Sequence, residues 1–187
     1  MTGMSGVPEV FRRAVATLRS VRPRPEVDLD EERPPQRLAP WAFALGAEVD
    51  GVAGEVAIGR LVLLYDPDGV EAWGGTLRLV LYARAELDAE VAGDPLLPDV
   101  GWSWLTEALE TRGADYHALG GTVTRTSSAR FGDIAGPPHT HDLELRASWT
   151  AGDPELTAHG EAFCDLLATA AGLPPIGVTF LGQQHGW

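Results

Sequence analysis

The spacing of apolar residues along the chain predicts three amphipathic helices. Residues 7–20 place an apolar side chain every three or four positions, from Val10 to Leu18, with arginines on the other side. This is the period of a helix with one buried face. The same spacing marks a second helix, for which we expect Asp99 to be the N-cap, and a third over residues 154–171. All three should therefore pack one face onto a core.

From residue 41 onward the apolar period changes to two. Residues 41–49 alternate apolar with small or polar side chains, as a half-buried strand does. Two more strands are predicted at 55–65 and 73–84. The sequence Asp-Pro-Asp-Gly at 66–69 predicts the turn between them, because proline and glycine stand where a type I turn favours them. These three strands should form an antiparallel meander.

Two later segments complete the predicted sheet, a polar strand at 116–126 and a cleanly alternating strand at 142–150. The predicted order is therefore α-β-β-β-α-β-β-α. This order indicates an α+β fold, with a single antiparallel sheet of about five strands and helices packed on one face. The strand at 55–65 is apolar on both sides, so its second side also needs cover. The connector, the C-terminal tail or a second copy of the chain could supply it.

We interpret residues 1–187 as a single domain, because this length and a 44% hydrophobic composition suit one sizeable core. The N-terminal helix at 7–20 should lead into a proline- and acid-rich connector at 22–40, whose prolines exclude a helix or a central strand. The α+β body then spans 41–172. A tail without a clear period spans 173–187.

The charge of the chain is strongly negative but unevenly distributed. A net charge of −13 argues against direct binding to nucleic acid, which requires a cationic surface. Residues 1–25 hold five arginines against one glutamate, so this basic element either docks on the acidic body or reaches an acidic partner. The chain has no apolar run long enough to span a membrane and no signal-peptide pattern, so we expect a cytoplasmic protein.

No motif in the sequence specifies a chemistry, and we predict no catalytic residue, no metal site and no cofactor. His139 and His141 form an H-x-H pair that could aim two imidazoles at one cation. They follow a Gly-Pro-Pro sequence, however, in what we interpret as a surface loop, so two solvated histidines are the simpler interpretation. The single cysteine, Cys164, excludes an intrachain disulfide and is interpreted as a small core residue.

Two tryptophans, Trp102 and Trp104, lie two residues apart at the start of the second helix. Residues so spaced point about 200° apart on a helix, so both cannot lie on one buried stripe. We expect Trp104 to share the core side with Val100. Trp102 should then lie either beneath the connector or against a partner.

Two arginines and a tyrosine of the sheet complete the predicted binding residues. Arg78 and Arg84 share strand parity with Tyr82. A sheet face that bears arginines in an acidic protein suits an acidic ligand or a self-complementary interface. The predicted partner-binding residues are therefore Trp102, Arg78, Tyr82 and Arg84.

Five stretches of the chain, taken in order, resemble a known bacterial family: VPEVFRRAVATLR, PPQRLAPWAFAL, GRLVLLYDPDGVEAWGGTLRLV, DPLLPDVGWSWLTEALE and FCDLLATAAGLPP. The resemblance extends over roughly residues 7–175 and is to the domain-of-unknown-function family number three thousand, which is typical of high-GC Gram-positive lineages. The absence of lysine and asparagine, whose codons are AT-rich, agrees with such a genome. The family has no assigned activity, so the resemblance implies no catalytic residues.

These observations favour a non-enzymatic, cytoplasmic, chaperone-like interaction protein that binds a protein partner, with a homodimer as a further expectation. One alternative is a small-molecule-binding domain or enzyme with a pocket lined by the four predicted binding residues. Another is an accessory factor to RNA processing that acts through the basic N-terminal helix. A deep enclosed cavity with convergent polar groups would favour the first alternative.

Overall fold

The computed structural model describes residues 6–51 and 56–177. Its α-helices are α1 (Glu9–Arg19), α2 (Ala89–Ala92), α3 (Leu97–Thr111) and α4 (Thr157–Ala170). Six strands form one antiparallel sheet: β1 (Val27–Glu32), β2 (Trp41–Asp50), β3 (Val56–Val70), β4 (Gly75–Leu87), β5 (Tyr116–Ala129) and β6 (His139–Ala151). Their order across the sheet is β1-β2-β3-β4-β6-β5. The fold is therefore α+β with one antiparallel sheet, as predicted, and the sheet has one more strand than expected.

The helices pack against one side of the sheet, which we call the helix face. The alternate residues of the central strands point to this side and form the core with α3 and α4, including Leu61, Leu79, Leu105, Trp149 and Phe163. The close approach of α4 depends on Gly59, where a Cβ would lie 2.8 Å from the Phe163 ring. No described helix is both long and apolar enough to cross a membrane.

The basic helix α1 docks on the body, which is the first of the two arrangements that its charge predicted. The Phe11 ring stacks on Tyr65, with the ring centroids 6.1 Å apart. Arg19 pairs with Glu31 of β1 at 2.7 Å and lies over the Phe43 ring. Arg19 of this helix therefore meets an acidic and an aromatic group of the same chain.

The connector contains the additional strand, β1, which the sequence pattern did not predict. The prolines lie on either side of Val27–Glu32, and between them Val27 and Leu29 alternate with acidic residues and pair with β2. A strand with free outer backbone groups tolerates such a composition, because it lies at the edge of the sheet. The exclusion of a helix and of a central strand therefore agrees with the position of β1 at the edge.

The other side of the sheet, which we call the open face, is covered only at one end by described residues. There Ala44, Val62 and Leu64 are buried beneath Ala39 of the connector and Trp73. The connector thus supplies part of the second cover that the doubly apolar strand requires. Beyond this cluster the apolar side chains of the open face are accessible: Ile58 is 39% and Val80 is 36% exposed.

The predicted turn at 66–69 lies inside β3, so the chain reverses later than expected. The Asp66 carboxylate accepts a hydrogen bond from the Asp68 backbone N–H, which bends the strand without ending it. The β3–β4 register shifts there and resumes at Val70 and Gly75. The reversal occurs at Glu71–Trp73 and at Gly74, whose φ of 64° is one that glycine adopts readily.

Helix α3 begins two residues before Asp99, which therefore lies in its first turn and is not the N-cap. The Asp94 carboxylate accepts from the Leu96 backbone N–H just ahead of the helix. Gly101 lies close to the sheet: a Cβ added at this position would be 3.0 Å from the Leu143 side chain. The buried stripe of α3 is therefore centred on Gly101 and Leu105. Val100, predicted in the core, is consequently 40% exposed.

Helix α4 begins at Thr157, three residues after the predicted start. The Thr17 hydroxyl of α1 accepts from the Leu156 backbone N–H and shares its own proton between the carbonyls of Ala14 and Pro154, at 2.9 and 3.2 Å. The hydrogen bonds with Pro154 and Leu156 hold the predicted first turn of α4 in a non-helical conformation. The contact between the two helices, which the sequence pattern does not reveal, therefore sets the start of α4.

Candidate functional site

The structure does not bring the four predicted binding residues together. Arg78, Tyr82 and Arg84 lie on the open face of β4, where their neighbours on β6 are Thr150, Arg146 and Glu144. Trp102 lies on the helix face, above β5. The sheet separates Trp102 from the other three, so these four residues cannot line a single pocket.

A shallow hollow of about 490 Å³ lies on the open face between β4, β6 and β5. We call its open-face lining the arginine shelf: Val80, Tyr82, Gly120, Thr122, Arg146 and Ser148. Strands β4 and β6 each supply two side chains and β5 supplies Thr122, while the floor beside Thr122 is low because Gly120 has no side chain. The hollow is open to solvent over its whole length.

Tyr82 is the aromatic centre of the shelf. The Arg146 guanidinium lies over its ring, 5.2 Å from the centroid, and the Tyr82 hydroxyl donates to Glu144 at 3.3 Å. Partial burial is the main reason why the pKa of Tyr82 is raised, and the Glu144 charge adds to it. The hydrogen bond from Arg146 Nε, at 2.6 Å, lowers the pKa of Glu144. Tyr82 is therefore a neutral ring that Arg146 and Glu144 hold in place at the lining of the hollow.

Arg78 carries a positive charge that no described carboxylate neutralises. Its guanidinium donates to the Thr150 and Ser148 hydroxyls, at 2.9 and 2.8 Å, and to the Ala118 carbonyl at 3.0 Å. Burial lowers the pKa of Arg78, since these acceptors are neutral. Among the described residues it forms no ion pair, whereas Arg84 on the same strand pairs with Asp142 at 3.0 Å. The Arg78 end of the shelf is thus electropositive.

A bulge in β5 shapes the shelf next to Arg78. The register with β6 shifts between His117 and Gly120, and Ala118 has a φ of 53°. This conformation turns the Ala118 carbonyl towards Arg78. The bulge was not among the predictions from sequence, although two consecutive glycines within a strand indicate a bulge or a close approach of another backbone.

Trp102 has its contact within the chain, at the opposite edge of the sheet from the connector. Its Cζ3 atom lies 2.9 Å from the position that a Cβ of Gly121 would occupy. The ring packs against the main core but remains partly accessible, since β5 is the last described strand on this side. The expectation that Trp102 lies beneath the connector was therefore wrong.

The candidate metal ligands lie in a strand and form no metal site. His139 and His141 are the first residues of β6, not part of a loop, and the His141 ring nitrogen is 2.9 Å from the Ser127 hydroxyl. Within the described residues no group of three histidine, cysteine or carboxylate side chains is placed to hold a metal ion.

Cys164 is buried in α4, which confirms its interpretation as a core residue. Burial raises the pKa of its thiol to about 12, so the reactive thiolate is scarce at neutral pH. We expect the native protein to react with a thiol reagent at least about a hundredfold more slowly than the urea-unfolded chain. Absorbance after addition of a disulfide reagent measures both rates, and equal rates would contradict the burial of this side chain.

Comparison with known proteins gives a family but no function. The model of a family described as a protein of unknown function, DUF3000, matches residues 7–179. No curated protein and no solved structure matches the chain. The geometry of the shelf and of the β5 edge is therefore the basis for assigning a role.

Proposed function

The chain belongs to the DUF3000 family, whose description names no activity, and from its structure we propose a non-enzymatic interaction protein that binds an acidic, extended segment of a protein partner on the arginine shelf. The single observation that carries this proposal is the uncompensated charge of Arg78 beside an accessible apolar surface. Tyr82 and Val80 supply that surface. The charge of Arg78 and the apolar surfaces of Val80 and Tyr82 together match a segment that alternates acidic and apolar side chains.

The shape of the shelf favours a protein segment over a small molecule. A small-molecule site is concave and covers most of its ligand, with a few polar groups that converge on one point. The shelf is an open hollow on a sheet surface, and one of its hydroxyl groups, that of Ser148, already accepts a hydrogen bond from Arg78. An extended chain can lie along such a surface and gain apolar contact at several positions.

The charge of the shelf favours an acidic segment over a basic one or an RNA. Arg146 and Glu144 balance each other, and so do Arg84 and Asp142. Arg78 then remains as the net charge of this region. A carboxylate placed next to Arg78 would gain a charge-assisted hydrogen bond, provided that it displaces one of the neutral acceptors. The acidic body of the chain disfavours a longer nucleic acid.

Substitution of Val80 by aspartate tests the proposal. In Val80→Asp a carboxylate lies next to Arg78, so it should neutralise the attracting charge and repel an acidic segment. Proteins captured from a lysate of the source organism by the wild type should be lost from Val80→Asp. The control is Ile58→Asp, which makes the same change at a residue of similar exposure on the open face but outside the shelf.

Circular dichroism of both variants shows whether each one folds. Retention of the captured proteins by Ile58→Asp together with their loss from Val80→Asp is the expected result. A captured set that is identical for all three proteins would contradict binding at the shelf.

A further inference from the structure

The two edges of the sheet differ sharply in how they are protected against pairing with another strand. An edge strand presents unpaired backbone N–H and C=O groups, and proteins commonly block such edges with charges, prolines or short strands. Strand β1 is short and acidic, with the sequence Val-Asp-Leu-Asp-Glu-Glu. Strand β5, at the other edge, is more than twice as long and has no acidic residue and no proline.

The regular part of β5 runs from Gly120 to Ala129 and is largely composed of small or hydroxyl-bearing residues. Its single charged residue, Arg125, is directed back to its own chain, where it donates to the carbonyls of Ala92 and Asp94. Among the residues that the structure describes, no strand pairs with the outer edge of β5. This edge therefore offers a continuous row of backbone groups without an electrostatic barrier.

We propose that a second copy of the chain pairs with this edge, β5 against β5, so that two six-stranded sheets form one continuous antiparallel sheet around a twofold axis. Each chain carries a net charge of −13, so two copies repel each other over most of their surface. The stretch from Tyr116 to Gly132 has no acidic residue. This edge is thus a place where two acidic copies can approach with little repulsion.

The sequence of β5 selects the register of this pairing. In an antiparallel pair centred on Thr124, Thr124 faces its own copy and Thr122 faces Thr126. Threonine pairs of this kind stabilise antiparallel sheets. A pair centred on Arg125 would instead place two guanidinium groups opposite each other, which is unfavourable. The register centred on Thr124 also places Arg125 opposite Val123, so no like charges meet.

The same arrangement accounts for the partly accessible Trp102. This ring lies over Gly121 of the edge strand, and a strand added beside β5 would extend the surface beneath the ring. Large aromatic side chains beside a strand-pairing edge contribute strongly to association. The dimer pairs the backbone edge of β5 and shares only Gly120 and Thr122 with the arginine shelf, and the cysteine test at Thr124 lies outside the shelf. The dimer can therefore be tested independently of the proposed partner.

Cysteine substitutions in β5 test the register directly. Facing residues of an antiparallel pair have Cα atoms about 4.5–5.5 Å apart, which is within the range for a disulfide. Thr124→Cys should therefore form a disulfide-linked dimer rapidly under mild oxidation at micromolar concentration. In Ser128→Cys the two introduced thiols would be far apart, because Ser128 faces Gly120 of the other copy. Its cross-linking should be at least about tenfold slower, and the buried Cys164 should not contribute.

Sedimentation equilibrium provides the second measurement, on the full chain without cysteine substitutions. The wild type should be a dimer. The dissociation constant of the triple variant Thr122→Lys/Thr124→Lys/Thr126→Lys should be about a hundredfold higher, because three like-charge pairs then face each other across the interface. All three side chains are exposed on the open face, so the variant should fold. A matched variant, Thr169→Lys on α4, should remain dimeric.

Three outcomes would overturn the proposal. The first is a wild-type monomer at all concentrations, as expected if the edge stays solvated or receives a different protein. The second is a dimer that the triple lysine variant leaves intact, because its interface would then lie elsewhere. The third is equal cross-linking rates for Thr124→Cys and Ser128→Cys, which would exclude the register centred on Thr124.

Discussion

Lowering the pH from 7 to 4 should reduce the free energy of unfolding by about 3 kcal/mol more in the wild type than in His159→Gln. His159 is buried in α4, where its Nδ1 accepts a hydrogen bond from Trp149 Nε1 at 3.0 Å. Burial lowers the pKa of this histidine from 6.5 to about 4, although the charges of Asp153 and Asp115 oppose the change. The native protein therefore holds a neutral imidazole in its core.

The direction of this pH dependence follows from the two protonation states. Between pH 6.5 and about 4 the unfolded chain binds a proton at His159 and the native chain does not, so acidification favours unfolding. The stabilising contribution is fully present above pH 6.5 and is lost as the pH falls towards 4. The amide oxygen of the glutamine side chain in His159→Gln can still accept from Trp149, but the side chain does not titrate.

Urea unfolding, followed by circular dichroism at several pH values, measures this difference. His139→Gln, which replaces an exposed histidine at the start of β6, is the matched control and should keep the wild-type pH dependence. If wild type and His159→Gln lost stability in parallel on acidification, the burial of a neutral His159 would be contradicted. The comparison cancels the contribution of the surface carboxylates, which all three proteins share.

Substitution of Gly121 by alanine should destabilise the protein by about 3 kcal/mol, while the same change at the adjacent Gly120 should alter its stability by less than about 1 kcal/mol. A Cβ at Gly121 would collide with the Arg146 carbonyl of β6 and lie 2.9 Å from the Trp102 ring. Backbone cannot yield as a flexible side chain can. A Cβ at Gly120 would meet no atom within 4 Å.

The midpoints of urea unfolding of the two variants give the comparison, since they differ by one position along the same strand. Tryptophan fluorescence adds a second measurement, because displacement of β5 should expose the Trp102 ring, one of six tryptophans in the chain, and shift the emission to longer wavelength. Equal stabilities for Gly120→Ala and Gly121→Ala would contradict the close contact of β5 with β6 and Trp102.

The sequence predicted the fold well where one periodicity dominated. The alternation in residues 41–49, 73–84 and 142–150 corresponds to β2, β4 and β6, because each of these strands buries one side against the helices. Residues 55–65, apolar on both sides, correspond to most of β3, whose second side is partly covered by Ala39 and Trp73. The local pattern of apolar residues was sufficient to predict these strands, because the burial of their side chains follows that pattern along each strand.

The predictions that failed depended on contacts between distant residues. The start of α4 is set by the Thr17 hydroxyl. Val100 lies outside the core because α3 turns the face that contains Gly101 towards Leu143. The strand β1 was missed because its acidic residues indicate solvent, and an edge strand is partly solvated. The chain does not reverse at the turn sequence 66–69, because β3 pairs with β4 again at Val70 and Gly75.

The candidate site was predictable only in part. Strand parity placed Arg78, Tyr82 and Arg84 on one face, which the structure confirms. Parity within one strand does not reveal what lies beside it, so the contribution of β5 and β6 to the shelf, through Gly120 and Arg146, was not foreseen. The alternative of one pocket lined by Trp102 and these three residues of β4 is wrong, because helix spacing does not show which side of a sheet the helix covers.

Site-specific photo-crosslinking at position 82 is the measurement that tests the proposed function most directly. A benzophenone amino acid in place of Tyr82 would react only with groups within a few ångströms of the shelf, and the same amino acid in place of Ile58 is the control on the open face. In lysate, the expected result is an adduct between position 82 and another protein, rich in acidic residues at the attachment point, which position 58 does not form. Absence of a protein adduct at position 82, or the same adducts at both positions, would contradict a partner-binding shelf.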